Sequence, residues 1–99
     1  MKDIVFNQPK INTKVSSKEI FVHYFEGVNF SSKTIKVEKM GASCPCLTFD
    51  KIEKIEPDQS FKIKTYVNKL NQSGFFSVAL HLEFSNGQHE SLTISGEIK

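Results

Sequence analysis

Apolar and polar residues alternate along much of this chain with a period of two, the repeat of a β-strand that turns one face to a core. The longest stripe is Phe76, Val78, Leu80, Leu82 and Phe84, interleaved with Ser77, Ala79, His81 and Glu83. Phe61, Ile63, Thr65 and Val67 alternate with Lys62, Lys64 and Tyr66. Ile35 and Val37 alternate with Lys36 and Glu38, and Leu92, Ile94 and Ile98 with Thr93, Ser95 and Glu97. These stripes predict a core of Ile35, Val37, Phe61, Ile63, Phe76, Val78, Leu80, Leu82, Leu92 and Ile94. Gly96 falls on the inward side of the last stripe, which predicts close backbone approach. Short strands are also expected at residues 3–6 and 47–49. Residues 20–25 form a strand whose orientation the pattern leaves open. Ile20, Val22 and Tyr24 share one side and Phe21, His23 and Phe25 the other, and both sides are apolar. That strand is either central or covered.

The intervals between stripes read as turns. Glu56-Pro57-Asp58-Gln59 places Pro where a turn wants a fixed φ. Asn86-Gly87 predicts a tight hairpin with positive φ at both residues. Glu26-Gly27 opens a loop that closes at Ser31-Ser32-Lys33, Ser16-Ser17-Lys18 reads as a turn, and residues 68–74 read as a loop. Residues 10–17 are polar apart from Ile11 and Val15 and carry no strand in this reading. Residues 51–56 hold Ile52 and Ile55, either in one helical turn or in a loop pinned by both. About seven short strands result, and no long helix is present to make parallel crossovers, so the expectation is an all-β, antiparallel immunoglobulin-like sandwich.

Composition agrees with one domain over residues 1–99. Ile, Val, Leu and Phe make up 30 of 99 residues, well above the roughly 20% below which chains tend to stay disordered. Ala occurs only twice, which leaves few strong helix formers. No apolar run approaches the ~18 residues of a membrane span. No apolar stretch follows Met1-Lys2-Asp3, so a secretion signal is expected to be absent or already removed. Thirteen Lys, no Arg and eleven acidic residues leave a net charge of +2, too small and too mixed to choose a partner. The stripes Lys33, Lys36, Lys39 and Lys62, Lys64, Lys69 are broken by Glu38 and Asp58. Without Arg, bidentate contacts to guanine or phosphate are missing. Nucleic acid is not expected as a partner.

The sharpest chemical feature is Cys44-Pro45-Cys46, which admits three readings. The thiols can be reduced, at least one of them buried, since free Cys behaves as a small hydrophobe. They can form a disulfide: residues two apart in an extended strand lie ~6.6 Å apart, near the upper limit for a bridge, and a bend at Pro45 would shorten this. They can hold a metal, with two thiolates suiting Cu(I), or Zn(II) given two further ligands. Candidate partners are His23, His81, His89 and Met40, none at motif spacing. His23 and His81 are expected opposite the core stripes and His89 at the hairpin loop. A Cys–His dyad would require the fold to bring one of them to Cys44 or Cys46. No phosphate-binding Gly-rich loop or nucleophile elbow is present, so the expectation is a domain that is not an enzyme and has no cofactor.

The segment Val37-Glu38-Lys39-Met40-Gly41-Ala42-Ser43-Cys44-Pro45-Cys46-Leu47-Thr48 resembles the signature of a bacterial immunoglobulin-like family of unknown function, a strand followed by Ser-Cys-Gly-Cys-Thr. Ile55-Glu56-Pro57-Asp58-Gln59 is similar to that family's Pro-Gly turn, Gly74-Phe75-Phe76 to its next strand start, and Leu92-Thr93-Ile94-Ser95-Gly96-Glu97-Ile98 to its closing strand. Pro45 stands for the usual Gly, Leu47 precedes the usual Thr, and Asp58 replaces the Gly of the turn. The resemblance implies a sandwich like the Hydin and major-sperm-protein types, used for binding and scaffolding, in the periplasm or on the cell surface, with a cytoplasmic location as the alternative. The function expected is a non-catalytic protein-interaction or scaffolding module, and the alternative is a thiol-based copper, zinc or redox site on Cys44 and Cys46. The partner is expected to be a protein, met by an exposed edge strand or by a face carrying Phe21 and Phe25, with Phe75. The competing expectation is that the N-terminal segment covers that face. Asn29-Phe30-Ser31 and Asn71-Gln72-Ser73 fit the glycosylation pattern, which carries no weight in a bacterial protein.

Overall fold

A computed structural model describes residues 3–16, 20–68 and 74–98. Among the described residues nine strands run in the order β1 (Ile4–Phe6), β2 (Lys10–Val15), β3 (Phe21–Asn29), β4 (Ile35–Ala42), β5 (Leu47–Phe49), β6 (Lys54–Ile55), β7 (Ser60–Val67), β8 (Gly74–Phe84) and β9 (His89–Ile98). They form a four-stranded sheet, β1-β3-β7-β5, and a five-stranded sheet, β2-β9-β8-β4-β6. No helix occurs among the described residues, and none is long and apolar enough to cross a membrane. The protein is an all-β immunoglobulin-like sandwich.

The two inner faces meet in one apolar core. Of the ten core residues expected from the stripes, all but Val37 and Phe61 are buried, and those two are half-buried and pack against the cluster. Ile4, Phe6, Phe25, Leu47, Ile55 and Phe84 join them. Gly96 lies against the backbone of Thr13 so closely that any Cβ would strike the Thr13 carbonyl. The inward glycine is therefore what lets β2 lie beside β9.

Several elements depart from the sequence expectation, each for a physical reason. The polar stretch 10–17 contains strand β2, which pairs with β9 in parallel rather than antiparallel fashion. As an outer strand it needs only Ile11 and Val15 to reach the core, so its apolar pattern is thin. The Glu26-Gly27 loop is instead a continuation of β3 to Asn29. Gly27 lies opposite both Phe6 and Phe61, whose rings meet edge to face at 5.5 Å. A Cβ on Gly27 would come within 2.7 Å of the Phe61 ring. The glycine makes room for aromatics rather than breaking the strand. Ile55 is buried in the two-residue strand β6, which replaces the helical turn considered for that stretch.

Turn chemistry follows the residues closely. Gln59 N–H donates to the Glu56 carbonyl at 3.1 Å, with Pro57 second and Asp58 third at φ +59°. In the β8–β9 hairpin only Gly87 has positive φ. Asn86 instead accepts the Gln88 N–H through its side chain at 3.0 Å. Residues 17 and 18 of the expected turn, most of the loop at 68–74, Lys69 and the Asn71 pattern lie outside the described residues.

Candidate functional site

Residues 43–46 carry the chain from β4 in one sheet to β5 in the other, so the cysteines sit at an inter-sheet corner. Ser43 N–H donates to the Ala79 carbonyl, and Ala79 N–H to Ser43 Oγ, both at 2.9 Å. Leu47 N–H donates to the Cys44 carbonyl at 3.0 Å, which closes a turn with Pro45 in its favoured second position. Asn68 N–H donates to the Cys46 carbonyl at 2.7 Å, which anchors the far side to the end of β7. Cys44 and Cys46 are half-buried against the core and joined in a disulfide, their Cα atoms 5.1 Å apart. The bend at Pro45 thus supplies the shortening that an extended strand lacks. Coordination of a metal by Cys44 and Cys46 would require the reduced pair. Among the described residues no three His, Cys, Asp or Glu side chains gather as a metal-holding group.

The histidines are spread over both sheets. His23 corrects its expected placement: it lies on the inward side of β3, half-buried, stacked on Phe21 at 6.4 Å and edge-on to Phe25 at 4.7 Å. Burial lowers its pKa below the ordinary 6.5. His81 is exposed, with Nδ1 2.8 Å from Ser91 Oγ. His89 is exposed and lies 3.3 Å from Glu83.

The face expected to carry Phe21 and Phe25 is also corrected. Phe25 is 1% exposed and Phe21 packs against the core. When both sides of a strand are apolar, the larger rings gain more by burial, and the Tyr24 hydroxyl favours water. The open side of β3 is therefore the other one. Val22 and Tyr24 are 41% and 49% exposed there, with Ile20 just before the strand at 57% and Val5 of β1 at 38%. Tyr66 faces Val22 across β7, and Lys64 faces Tyr24. The Lys64 Nζ lies 5.1 Å from the Tyr66 ring centroid and 5.8 Å from that of Tyr24. Its hydrogen bond with Tyr66, then the fields of both phenols, raise its pKa. Tyr66 OH reaches Asp50 at 3.3 Å, and Lys62 pairs with Glu26 at 3.5 Å. The outer face of the five-stranded sheet differs: Ser77, Ala79, His81, Ser91, Thr93 and Ser95 make it small and polar. Phe75, 85% exposed, stands at its rim as expected.

Asn29 is a structural centre that the sequence pattern did not single out. It is fully buried. Its Nδ2 donates to the carbonyls of Lys33, Ile55 and Glu56 at 2.9–3.2 Å. Its Oδ1 accepts from Ser31 N–H and Oγ–H. A glycan cannot be attached to an amide so engaged. The clue lay in Asn29-Phe30-Ser31 itself, an Asn at a strand end with Ser two residues on, as local side-chain turns require.

Residues 4–98 match the model of a family described as "Protein of unknown function (DUF1573)". The chain belongs to that family. No curated protein matches it. Among solved structures it is similar to a protein of unknown function from Porphyromonas gingivalis W83, with TM-score 0.80 and 12% identity over 95% of this chain and 46% of that one. The chain thus spans about half the length of that relative. It is also similar to the ASH / PapD-like domain 7 of human CEP192, with TM-score 0.81 and 10% identity over 98% of this chain and 85% of that domain. A third similarity is to the Vibrio cholerae VesB protease, with TM-score 0.64 and 10% identity over 98% of this chain and 32% of that one. At these identities the likeness concerns the fold.

Proposed function

We propose that this DUF1573 domain is a non-catalytic protein-interaction or scaffolding module that docks through the outer face of its four-stranded sheet. The observation that carries this reading is the asymmetry of the two outer faces. One displays Ile20, Val22, Tyr24 and Val5, all more than a third exposed, while the other is small and polar apart from Phe75 at its rim. Apolar and aromatic side chains left exposed on one face are the usual mark of an interaction site, here in two groups divided by the Glu26–Lys62 pair, and tyrosine suits such a site because one end is apolar and the other wet. Lys62 is neutralised by Glu26, whereas Lys64 is flanked by phenols, so the complementary partner face carries an acidic group among apolar residues. The reading extends to location: an oxidising compartment such as the periplasm or cell surface would keep Cys44 joined to Cys46.

A photo-crosslinking residue placed at Val22, compared with one at Ser77 on the polar face, tests the proposal in the cells that make the protein. A discrete protein adduct from position 22 and none from position 77 is the expected result. Equal labelling from both, or no adduct from position 22, would reject the face as a docking site. Fractionation of the same cells tests the compartment.

A further inference from the structure

The chain has five glycines, and four have a reason within the fold. Gly74 and Gly87 adopt positive φ. Gly27 makes room for the Phe61 ring, and Gly96 for the Thr13 backbone. Gly41 differs from all of these. It stands inside β4 without the positive φ of Gly74 and Gly87, and a Cβ built on it meets nothing within 4 Å. Glycine in a strand interior weakens it and often marks the approach of another backbone or a ligand.

The surroundings of Gly41 supply that approach. Ser43 N–H bonds the Ala79 carbonyl, and antiparallel ladders alternate. The backbone groups of residues 43, 41 and 39 therefore point to β8, and those of Met40 and Ala42 point the other way. On that side β6 covers only Ile35 and Lys36, and Val37 N–H reaches Glu53. From Glu38 to Ala42 no strand is paired to this edge among the described residues. An open groove runs beside it, lined by Lys39, Gly41, His81 and Ser91 on the outer face and by Lys51 and Ile52 at the edge. Met40 and Ile52 are half-buried, so an added strand would complete their burial. The longer free edge, β2, carries the exposed Lys10 and Lys14, residues of the kind that guard against strand pairing, whereas the exposed Lys39 on the β4 edge is drawn to Glu83 of β8.

We infer that the Glu38–Ala42 edge of β4 is a strand-addition site for an extended peptide with an aromatic residue opposite Gly41. Its backbone pairs with the N–H and C=O of Met40 and Ala42, its ring lies over Gly41 against His81, and its neighbouring residues face Met40 and Ile52. The chain already contains this arrangement at Gly27, where strand neighbours place Phe6 and Phe61 over a glycine. The groove's charges are mixed, with Lys39 paired to Glu83 at 3.6 Å. A partner bound mainly through backbone and ring suits such a groove better than a highly charged one. This site is separate from the Val22–Tyr24 face and does not depend on it.

The test selects a displayed library of linear peptides against the wild-type domain and measures binding to two variants. Ala42→Pro removes an N–H that points away from β8, at an edge where proline is tolerated. Gly41→Thr adds a side chain where the domain has space. Thermal midpoints establish that each variant is folded, and only folded variants enter the comparison. The expected peptides are rich in β-formers around an aromatic residue, slow amide exchange at Met40 and Ala42, and bind each folded variant at least about tenfold more weakly. If both variants unfold, the exchange measurement on wild type decides alone. Peptides that leave Met40 and Ala42 exchange unchanged overturn the inference. If those peptides are instead lost on Tyr24→Ala, the sheet-face proposal survives. A concentration-dependent dimer abolished by Ala42→Pro would assign the edge to a second copy and reject the foreign peptide. Failure to enrich any peptide also rejects it, while leaving crosslinking at Val22 to judge the sheet face.

Discussion

Replacing Asn29 by Ala should cost far more than its place at a loop boundary suggests. The amide supplies two protons to three carbonyls, those of Lys33, Ile55 and Glu56, and accepts two hydrogen bonds from Ser31. Two protons shared among the carbonyls and two accepted bonds amount to four hydrogen bonds, and about 1 kcal/mol each sets the scale. The buried bond to the Ile55 carbonyl lies higher in the range, because the orphaned oxygen loses its partner without gaining water. The loss should total about 3–5 kcal/mol, against the 5–15 kcal/mol typical of whole domains. For a chain of this size it should lower the melting temperature on the order of 20 °C. Urea unfolding of wild type and Asn29→Ala measures the difference. Asn29→Asp sharpens the test, since it keeps the shape and the acceptor but turns a second oxygen towards three carbonyls. Its folded-state pKa should rise above the ordinary carboxylate value of about 3.9. Its deficit should then be smallest below that pH and grow as pH climbs through the raised folded value. A loss below about 1 kcal/mol for Asn29→Ala, the worth of one ordinary hydrogen bond, together with a pH profile for Asn29→Asp parallel to wild type, would refute the account.

Leu80 is fully buried, so Leu80→Ala should cost about 2–5 kcal/mol by urea midpoint. Asp58 holds φ +59°, and Asp58→Gly should raise stability by about 0.5 kcal/mol in the same assay, as relief of left-handed strain outweighs added chain entropy. Cys44 and Cys46 enclose one residue, so reduction removes little loop-closure restraint and should lower stability by less than about 2 kcal/mol. His23 has its pKa lowered by burial, so the unfolded state binds the proton first. Stability should be fully present above the unfolded value and fall as acid carries pH below about 6.5 towards the folded value. His23→Phe should flatten that slope in urea titrations taken at several pH values.

The β8 and β9 stripes were legible because one side of each strand is consistently apolar and the other is polar, apart from Phe75 and Ala79 in β8. Such a pattern fixes both the strand and its orientation. In β3 the strand was legible but its orientation was not, since Val22 and Tyr24 alternate with Phe21 and Phe25 and either set could be buried. The choice depends on ring size and on what lies across the interface, neither of which a period-two pattern records. β2 was hidden because an outer strand buries few residues, and its parallel pairing depends on Gly96, remote from Thr13 in sequence but beside it in the sheet. The Gly96 signal itself was legible, whereas its partner was not. The cysteine corner showed its residues but not its state, because only the bend around Pro45 decides whether two sulfurs that close in sequence can meet.

The same limit bears on function. An interaction surface is a place where the rules of burial are left incomplete, and sequence shows such gaps only when the complete cases are known. Val22 and Tyr24 are informative because Phe25, one residue along, is buried. Gly41 is informative because Gly27, Gly74, Gly87 and Gly96 each have a use within the fold. The two gaps also differ in kind. The sheet face leaves apolar area exposed, which favours a broad partner surface. The β4 edge leaves backbone groups without a strand, which favours a single extended segment. If both proposals hold, one partner is held by the face while a strand is received at the edge, and the separate variants at Tyr24 and Ala42 distinguish the two engagements within one protein.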